Sequence, residues 1–299
     1  MPGTAPYLFV NPHAGRGRGG RHTTDIVARL RAQGCEPIVH NSSRPGAIEA
    51  SIAALAPGAH EAVIVAGGDG SVHEAVNGLL SAGSAASLGV IPVGTGNDFA
   101  KAVGVPLDWR SAAADLAARL ASGAPARPID AGRCNDRYFA NGAGVGFDAV
   151  VTRLAAAYTA PIGDLVYLLA ILRALRDGVA TPAMRIVAED EIWNGPVTLA
   201  NVANGPFVGG RFHIAPQADP ADGLLDLVIA GPVSRGRVIA LLPALLRGRH
   251  RAAPEVHDYR VAGLRIESEE PVASHLDGEV QPLAAVFDIE ILPSALRLA

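Results

Sequence analysis

The 299-residue chain has only two cysteines, Cys35 and Cys134, and they lie far apart. No CxxC pair and no Cys/His cluster has zinc-ligand spacing, which argues against a disulfide scaffold and a structural zinc. Two reduced, buried thiols are expected. Lysine is scarcer still, since Lys101 is the only one. There is no GxxxxGK[ST] segment, so a P-loop is excluded, and no GxGxxG fingerprint follows the first apolar run. The formal net charge of -4 lacks the basic excess that a general nucleic-acid binder needs. Long hydrophobic runs are missing too. The most apolar stretch, residues 165–175, is interrupted by Arg173 and followed by Arg176, and falls short of the roughly 20 residues that span a bilayer. The opening Met-Pro-Gly-Thr-Ala-Pro leads straight into Tyr7-Leu8-Phe9-Val10, so no secretory leader is expected. These absences together predict a soluble, cytoplasmic protein.

Hydrophobic residues make up 49% and charged residues 18%, a globular composition long enough for one large domain or two ordinary ones. In the first 125 or so residues, short apolar runs at 8–10, 37–40, 63–66 and 88–92 alternate with helix-patterned segments at 23–32, 45–55, 72–80 and 111–121. Such alternation predicts a doubly wound parallel α/β domain, with its ligand where strands end and helices begin. A Pro/Ala/Gly stretch at 122–128 marks a change of character. Beyond it, turn signals at Asn135-Asp136, Asp190-Glu191, Asp222-Gly223 and Asp277-Gly278 separate strand-like runs. Only two long helix patterns interrupt this half, near 164–177 and 235–247. The prediction is an α/β domain over 1–126, completed by a C-terminal strand at 288–299, and a mainly antiparallel β-sandwich domain over 127–287.

The sharpest segment runs Val63-Ile64-Val65-Ala66-Gly67-Gly68-Asp69-Gly70-Ser71-Val72-His73-Glu74. A buried strand ends in a glycine turn and a helix begins, with Ser71 and Glu74 at capping-box spacing. Glycines allow close approach to a ligand, and a helix N-terminus offers N–H groups to phosphate oxygens. A carboxylate in such a turn repels phosphate unless a metal ion lies between, so Asp69 points to Mg²⁺. Two further turns share this design: Asn11-Pro12-His13-Ala14-Gly15 after the first strand, and Pro92-Val93-Gly94-Thr95-Gly96-Asn97-Asp98 after the fourth. Three such turns following parallel strands would converge on one crevice and together suggest a nucleotide site. Arg16, Arg18 and Arg21 could bring positive charge to it.

The set Asn11-Pro12-x-x-Gly15, Gly67-Gly68-Asp69-Gly70 with Glu74 and Asn77-Gly78, Pro92-x-Gly94-Thr95-x-Asn97-Asp98-Phe99 and Asp277-Gly278-Glu279 resembles the diacylglycerol-kinase catalytic-domain family. That family includes sphingosine kinases, ceramide kinases and bacterial soluble lipid kinases. The resemblance implies ATP bound by Asn11, Pro12, His13, Ala14, Gly15, Ser42, Gly68, Asp69, Gly70, Ser71, Val72, His73, Glu74, Thr95 and Asn97. Ala14 stands where the family often has serine. It implies an acidic network of Asp69, Asp98 and Asp130 around Mg²⁺. A second, structural Mg²⁺ would be held by the Asp222 carboxylate and the carbonyls of Asp219 and Leu224. Asp277 and Glu279, which by themselves read as a hairpin, become candidates to take the proton of a lipid hydroxyl. Their roles are not divided by the sequence. Substitution at Asp69 or Asp277 is expected to abolish activity without unfolding.

The acceptor implied is a membrane lipid, with diacylglycerol the family default, reached by transient contact with the membrane surface. Residues 235–251 carry an apolar face between Arg235, Arg237, Arg247, Arg249 and Arg251, which suits an anionic bilayer, although a helix packed on the β domain explains the pattern as well. Two rivals stand against the lipid kinase: an NAD kinase, which also uses a Gly-Gly-Asp-Gly turn, and an inactive nucleotide- or lipid-binding regulator. The sequence leaves the oligomeric state open, a homo-oligomer included.

Overall fold

A computed structural model describes residues 5–58, 61–158 and 165–299. Asp164 and the opening Met-Pro-Gly-Thr lie outside these. The chain divides into two compact units, Met1–Asp130 with Ser294–Ala299, and Ala131–Pro293.

The first unit is built on β1 (Tyr7–Val10), β2 (Ile38–Asn41), β3 (Ala62–Gly67) and β4 (Ser87–Pro92). They pair in the order β4-β3-β1-β2, all parallel. Leu298, at the end of the long strand β14 (Glu279–Leu298), pairs with Leu88 and adds a parallel neighbour to β4. Every residue of β3 is buried, as expected for a parallel strand covered on both faces. One face packs Leu8, Val10, Ile64, Ala66 and Ile91 against α1 (Ala14–Ala32) and α5 (Trp109–Ser122). The other helix pair, α2 (Ala47–Leu55) and α3 (Asp69–Ser81), meets at Gly78, where a Cβ would lie 2.9 Å from the Glu49 carbonyl oxygen and the Ile52 side chain. Short α4 (Asp98–Ala102) follows the turn after β4.

Two local expectations change. Helix α1 begins at Ala14 rather than Thr23, but Gly15, Arg16 and Gly17 inside it are left-handed, with φ of 56°, 62° and 84°. The glycine turn is thus folded into the helix start. The Ser71/Glu74 capping box does not form, because the N-cap is Gly68 and Ser71 is already the third helical residue. The Glu74 carboxylate instead accepts the N–H groups of Gly46 and Ile48, at 2.9 and 3.0 Å, and caps α2.

The second unit is antiparallel. Strands β7 (Gly142–Gly146), β10 (Leu199–Ala203), β11 (Leu225–Ala230) and β12 (Val256–Val261) run in the order β7-β10-β11-β12. The long β13 (Gly263–Leu276) pairs with β14 along both halves, with β8 (Ala183–Val187) along its first half and with β7 at its end. Register shifts between Glu267 and Ser274 bend it from one layer to the other. β9 (Glu191–Pro196) pairs with β8, and β5 (Arg127–Cys134) with β6 (Arg137–Phe139). Phe139, Ile186, Val202, Leu227, Ile266 and Phe287 fill the space between the layers. This is the expected C-terminal sandwich.

Helices α7 (Leu165–Asp177) and α8 (Arg235–Leu245) occupy the two regions patterned for them. A third helix in this unit, α6 (Phe147–Ala156), lies outside those two patterned regions. Its signal was present, with Phe147, Val151 and Ala155 buried at four-residue spacing, but the glycine-rich Gly142–Gly146 strand before it carries no cap residue. Among the described residues no helix is long and apolar enough to cross a membrane.

Candidate functional site

In the first unit the three glycine turns meet through direct bonds. Asn11 donates its backbone N–H to Ala66 at 3.1 Å, and its side-chain amide to the Ser71 hydroxyl at 3.0 Å. Its own amide oxygen accepts the His13 N–H at 3.0 Å. The Gly67 carbonyl accepts the N–H groups of Val93 and Gly94 at 2.9 and 3.2 Å. The Arg18 guanidinium donates to the Gly94 carbonyl, which also accepts the Asn97 side-chain amide at 3.1 Å. Finally, Asp69 accepts the Phe99 N–H at 3.1 Å, tying the second turn to the third.

Glycine is required where these backbones touch. Gly15 has φ of +56°, and a Cβ on it would run into the Val93 carbonyl. A Cβ on Gly68 would lie 3.0 Å from the Gly94 Cα. Helix α3 starts here with no side-chain cap. Such an end, walled by glycine backbone, is suited to phosphate oxygens.

The residues expected to meet ATP are therefore not equivalent. Asn11, Pro12, His13, Ala14, Gly15, Gly68, Asp69, Gly70, Ser71, Thr95 and Asn97 belong to the linked turns, with His13 and Thr95 exposed. The side chains of Val72 and His73 are buried, and the Asn77 amide donates to the His73 carbonyl at 2.9 Å. Ser42 follows β2, where its N–H donates to Val10 at 2.8 Å. Glu74 is occupied in capping α2.

In the second unit Asp277 and Gly278 form the two-residue turn between β13 and β14, with φ of 51° and 87°. Two successive left-handed residues are what a tight hairpin needs. Asp277 has a further task. Its carboxylate accepts the N–H groups of Ala140, Asn141 and Gly142 at 2.9, 2.7 and 3.0 Å. Glu279 opens β14 and is exposed. Elsewhere in this unit α6, α7 and α8 close over β10 and β11 to leave an apolar cavity of about 130 Å³. Phe147, Val151, Ile171, Phe212, Leu242 and Leu245 are among its walls. His250 also lines it, and burial pushes its imidazole pKa below the ordinary 6.5, opposed by a hydrogen bond to the Ile214 carbonyl.

Residues 6–134 match the diacylglycerol kinase catalytic domain, and residues 142–299 match the YegS C-terminal NAD kinase beta sandwich-like domain. The chain is 33% identical over 297 residues to a diacylglycerol kinase of Mycobacterium tuberculosis, covering 97% of this chain and 93% of the relative. It is 31% identical over 278 residues to a diacylglycerol kinase of Bacillus subtilis, covering 91% and 88%. The chain belongs to the diacylglycerol kinase family. A solved diacylglycerol kinase of Bacillus anthracis shares its fold, with a TM-score of 0.73 at 21% identity, covering 100% of this chain and 97% of that one.

This makes the chain a lipid kinase, with ATP the phosphate donor that the family implies. Its expected metal sites differ in how well they suit Mg²⁺. Among the described residues, no three His, Cys, Asp or Glu side chains gather to hold a metal ion, so the network of Asp69, Asp98 and Asp130 is not assembled. Asp98 pairs with Lys101 at 2.9 Å, and Asp130 accepts the Ser294 N–H at 2.7 Å, joining the strands that bound this unit. Asp69 sits in the glycine turn at the start of α3. One carboxylate with phosphate oxygens and water is a normal Mg²⁺ environment, so the donor set fits a nucleotide-bound ion.

The second site does not fit. The Asp222 carboxylate pairs with the Arg260 guanidinium through one oxygen, and accepts the Leu224 N–H at 3.0 Å through the other. The Asp219 carbonyl accepts the Asp222 N–H at 3.3 Å. Asp226 stands 3.8 Å from Arg260, its carboxyl pKa pushed up by burial and held back by that guanidinium. The positive charge here is Arg260, a residue that sequence motifs do not single out because it lies about 40 positions from Asp222.

Proposed function

We propose that this kinase transfers the γ-phosphate of ATP to the hydroxyl of a membrane lipid, diacylglycerol first, and so acts in phospholipid metabolism. On the donor side, the reading is supported by the linked turns after β1, β3 and β4 and the uncapped start of α3. Phosphoryl transfer has a loose transition state, so alignment and charge neutralisation carry most of the catalysis. Mg²⁺, when bound through Asp69, would supply that neutralisation on the phosphates. The glycine turns would fix the phosphate chain, and Arg18 would hold the first turn to the third.

On the acceptor side, the single observation that most favours a lipid over a soluble acceptor such as NAD is the apolar cavity beneath α6, α7 and α8. Apolar walls of this kind favour a hydrocarbon chain. For the base we choose Glu279, because Asp277 is committed to three backbone N–H groups and holds the turn that presents it. General-base help of this kind is worth about 10² to 10⁴-fold. Leu168, Leu169 and Leu172 of α7 are exposed, as are Ile239 and Leu246 in and beside α8 and the arginines Arg235 and Arg247 at its ends. Their mixture of apolar and basic groups supports peripheral contact with an anionic membrane, while the inward side of α8 lines the cavity.

The test is incubation with Mg²⁺ and γ-labelled ATP over mixed micelles of diacylglycerol, phosphatidylglycerol, a sphingoid base or ceramide, with NAD as a soluble alternative. Label in one lipid, lost with Glu279→Gln, supports the reading. Label in NAD alone refutes it.

A further inference from the structure

The hairpin that carries Asp277 and Glu279 has a second anchor, on its inner side. His275 of β13 pairs across the sheet with Gly144 of β7, and Gly144 pairs with Asn201 of β10. The three form one row. Gly144 leaves a gap in that row, and the Asp148 side chain from the first turn of α6 drops into it. A Cβ on Gly144 would overlap both the Asp148 carboxylate and the His275 imidazole. Asp148 accepts the Asn201 amide at 3.1 Å and the Ala149 N–H at 2.9 Å. Its carboxylate lies 3.6 Å from His275 Nε2, beyond hydrogen-bond length, and Nε2 has no hydrogen-bond partner among the described residues, so the carboxylate acts on it through charge. His275 and Asn201 are 2% and 3% exposed.

The other nitrogen of His275 faces the turn. Gly278 donates its N–H to Nδ1 at 3.3 Å. An imidazole that accepts at Nδ1 carries its proton on Nε2, the side turned to Asp148. Asp148 therefore favours the tautomer that can accept from Gly278. Asp148 also lines the apolar cavity, so one carboxylate touches both the cavity and the support of the hairpin.

We propose that His275 and Asp148 are a buried positioning pair, which holds the Gly278 amide and thereby aims Glu279. In this role neither residue needs to touch the transferred phosphate. The role rests on the lipid-kinase reading above, although the anchoring itself does not.

The pair can be tested with His275→Gln, His275→Asn, Asp148→Asn and the double variant His275→Gln/Asp148→Asn. Amide hydrogen exchange over residues 276–280 is read beside kcat, KM for ATP and thermal stability. Gln keeps a donor toward Asp148 but loses the Nδ1 acceptor. His275→Gln should therefore raise exchange in the turn and lower kcat by about tenfold each, the scale of one lost hydrogen bond, with KM for ATP unchanged. Asn can return an acceptor at the Nδ1 position, so His275→Asn should restore both. Asp148→Asn should act in the same direction, and the double variant should lose no more than His275→Gln alone, the mark of coupled residues. Normal exchange at Gly278 in His275→Gln, or additive losses in the double variant, overturns the proposal. If His275→Gln does not fold, exchange in Asp148→Asn decides the same point. If the wild type labels no lipid, the functional reading fails while the exchange result still judges the anchor.

Discussion

One Asp277 carboxylate oxygen accepts the backbone N–H of Asn141 at 2.7 Å and of Gly142 at 3.0 Å, while the other takes Ala140 at 2.9 Å. A hairpin tip is thereby fastened to the segment that leads into β7. Removing the carboxylate strands three N–H donors. Asp277→Ala should then cost roughly 1–3 kcal/mol or more, so it tests folding as well as catalysis. The variant is still expected to fold and to lose most of its activity, but from a less stable native state. Glu279→Gln should leave the melting temperature within about a degree, since the side chain is exposed, and lower kcat by about 10² to 10⁴-fold. Melting curves and turnover of the two variants check both statements. A fully active Glu279→Gln removes Glu279 as the base.

Gly15→Ala should abolish the nucleotide-induced thermal shift. The residue is left-handed, and a methyl group would meet the Val93 carbonyl that lies between the first and third turns. Gly104→Ala is the control, with φ of +74° and open space around it. It should cost only the left-handed strain, about 1 kcal/mol, and keep ATP binding. Equal behaviour of the two would mean that Gly15 matters only for its backbone angle.

Chelation should separate the two expected metal sites. EDTA should stop phosphoryl transfer, because without the cation the Asp69 carboxylate only repels the phosphates. It should leave the melting temperature of the ligand-free protein unchanged, because Arg260 occupies the cation position beside Asp222. Arg260→Met should lower that temperature, by leaving Asp222 and buried Asp226 without their counter-charge. Recovery of the variant on adding Mg²⁺ would show the site reverting to a metal centre. A wild type destabilised by EDTA would contradict the assignment.

His250 should make stability fall in mild acid. Burial lowers its folded pKa below the ordinary 6.5, so the unfolded chain binds the proton more readily. Stability is then full above about 6.5 and declines as pH falls below it, until the folded state also protonates. His250→Gln should flatten the melting temperature between about pH 5 and 6.5 relative to wild type. An unchanged slope would place the acid sensitivity elsewhere.

The sequence was legible where local pattern and global fold agree. Runs at 8–10, 63–66 and 88–92 are apolar throughout, and a strand buried on both faces can be little else. The glycine turns after them were legible for the same reason, since Gly15, Gly68 and Gly94 answer to backbone contacts that exclude a Cβ. Asp277-Gly278 reads as a tight hairpin and is one.

What the sequence by itself determined, then, is the chain's class, its donor-side turns and the family to which it belongs. Only the tertiary structure decided what the charged side chains do. Glu74 has the right spacing to cap its own helix, yet caps α2 instead, some 26–28 residues away. Asp222 meets Arg260 across two strands, Asp277 meets the 140–142 segment, and Asp148 meets His275 over a glycine. Backbone pattern is written locally, because strand and helix periods follow from neighbouring residues. A carboxylate takes whichever N–H or cation the fold brings within about 3 Å, and that partner can stand anywhere along the chain.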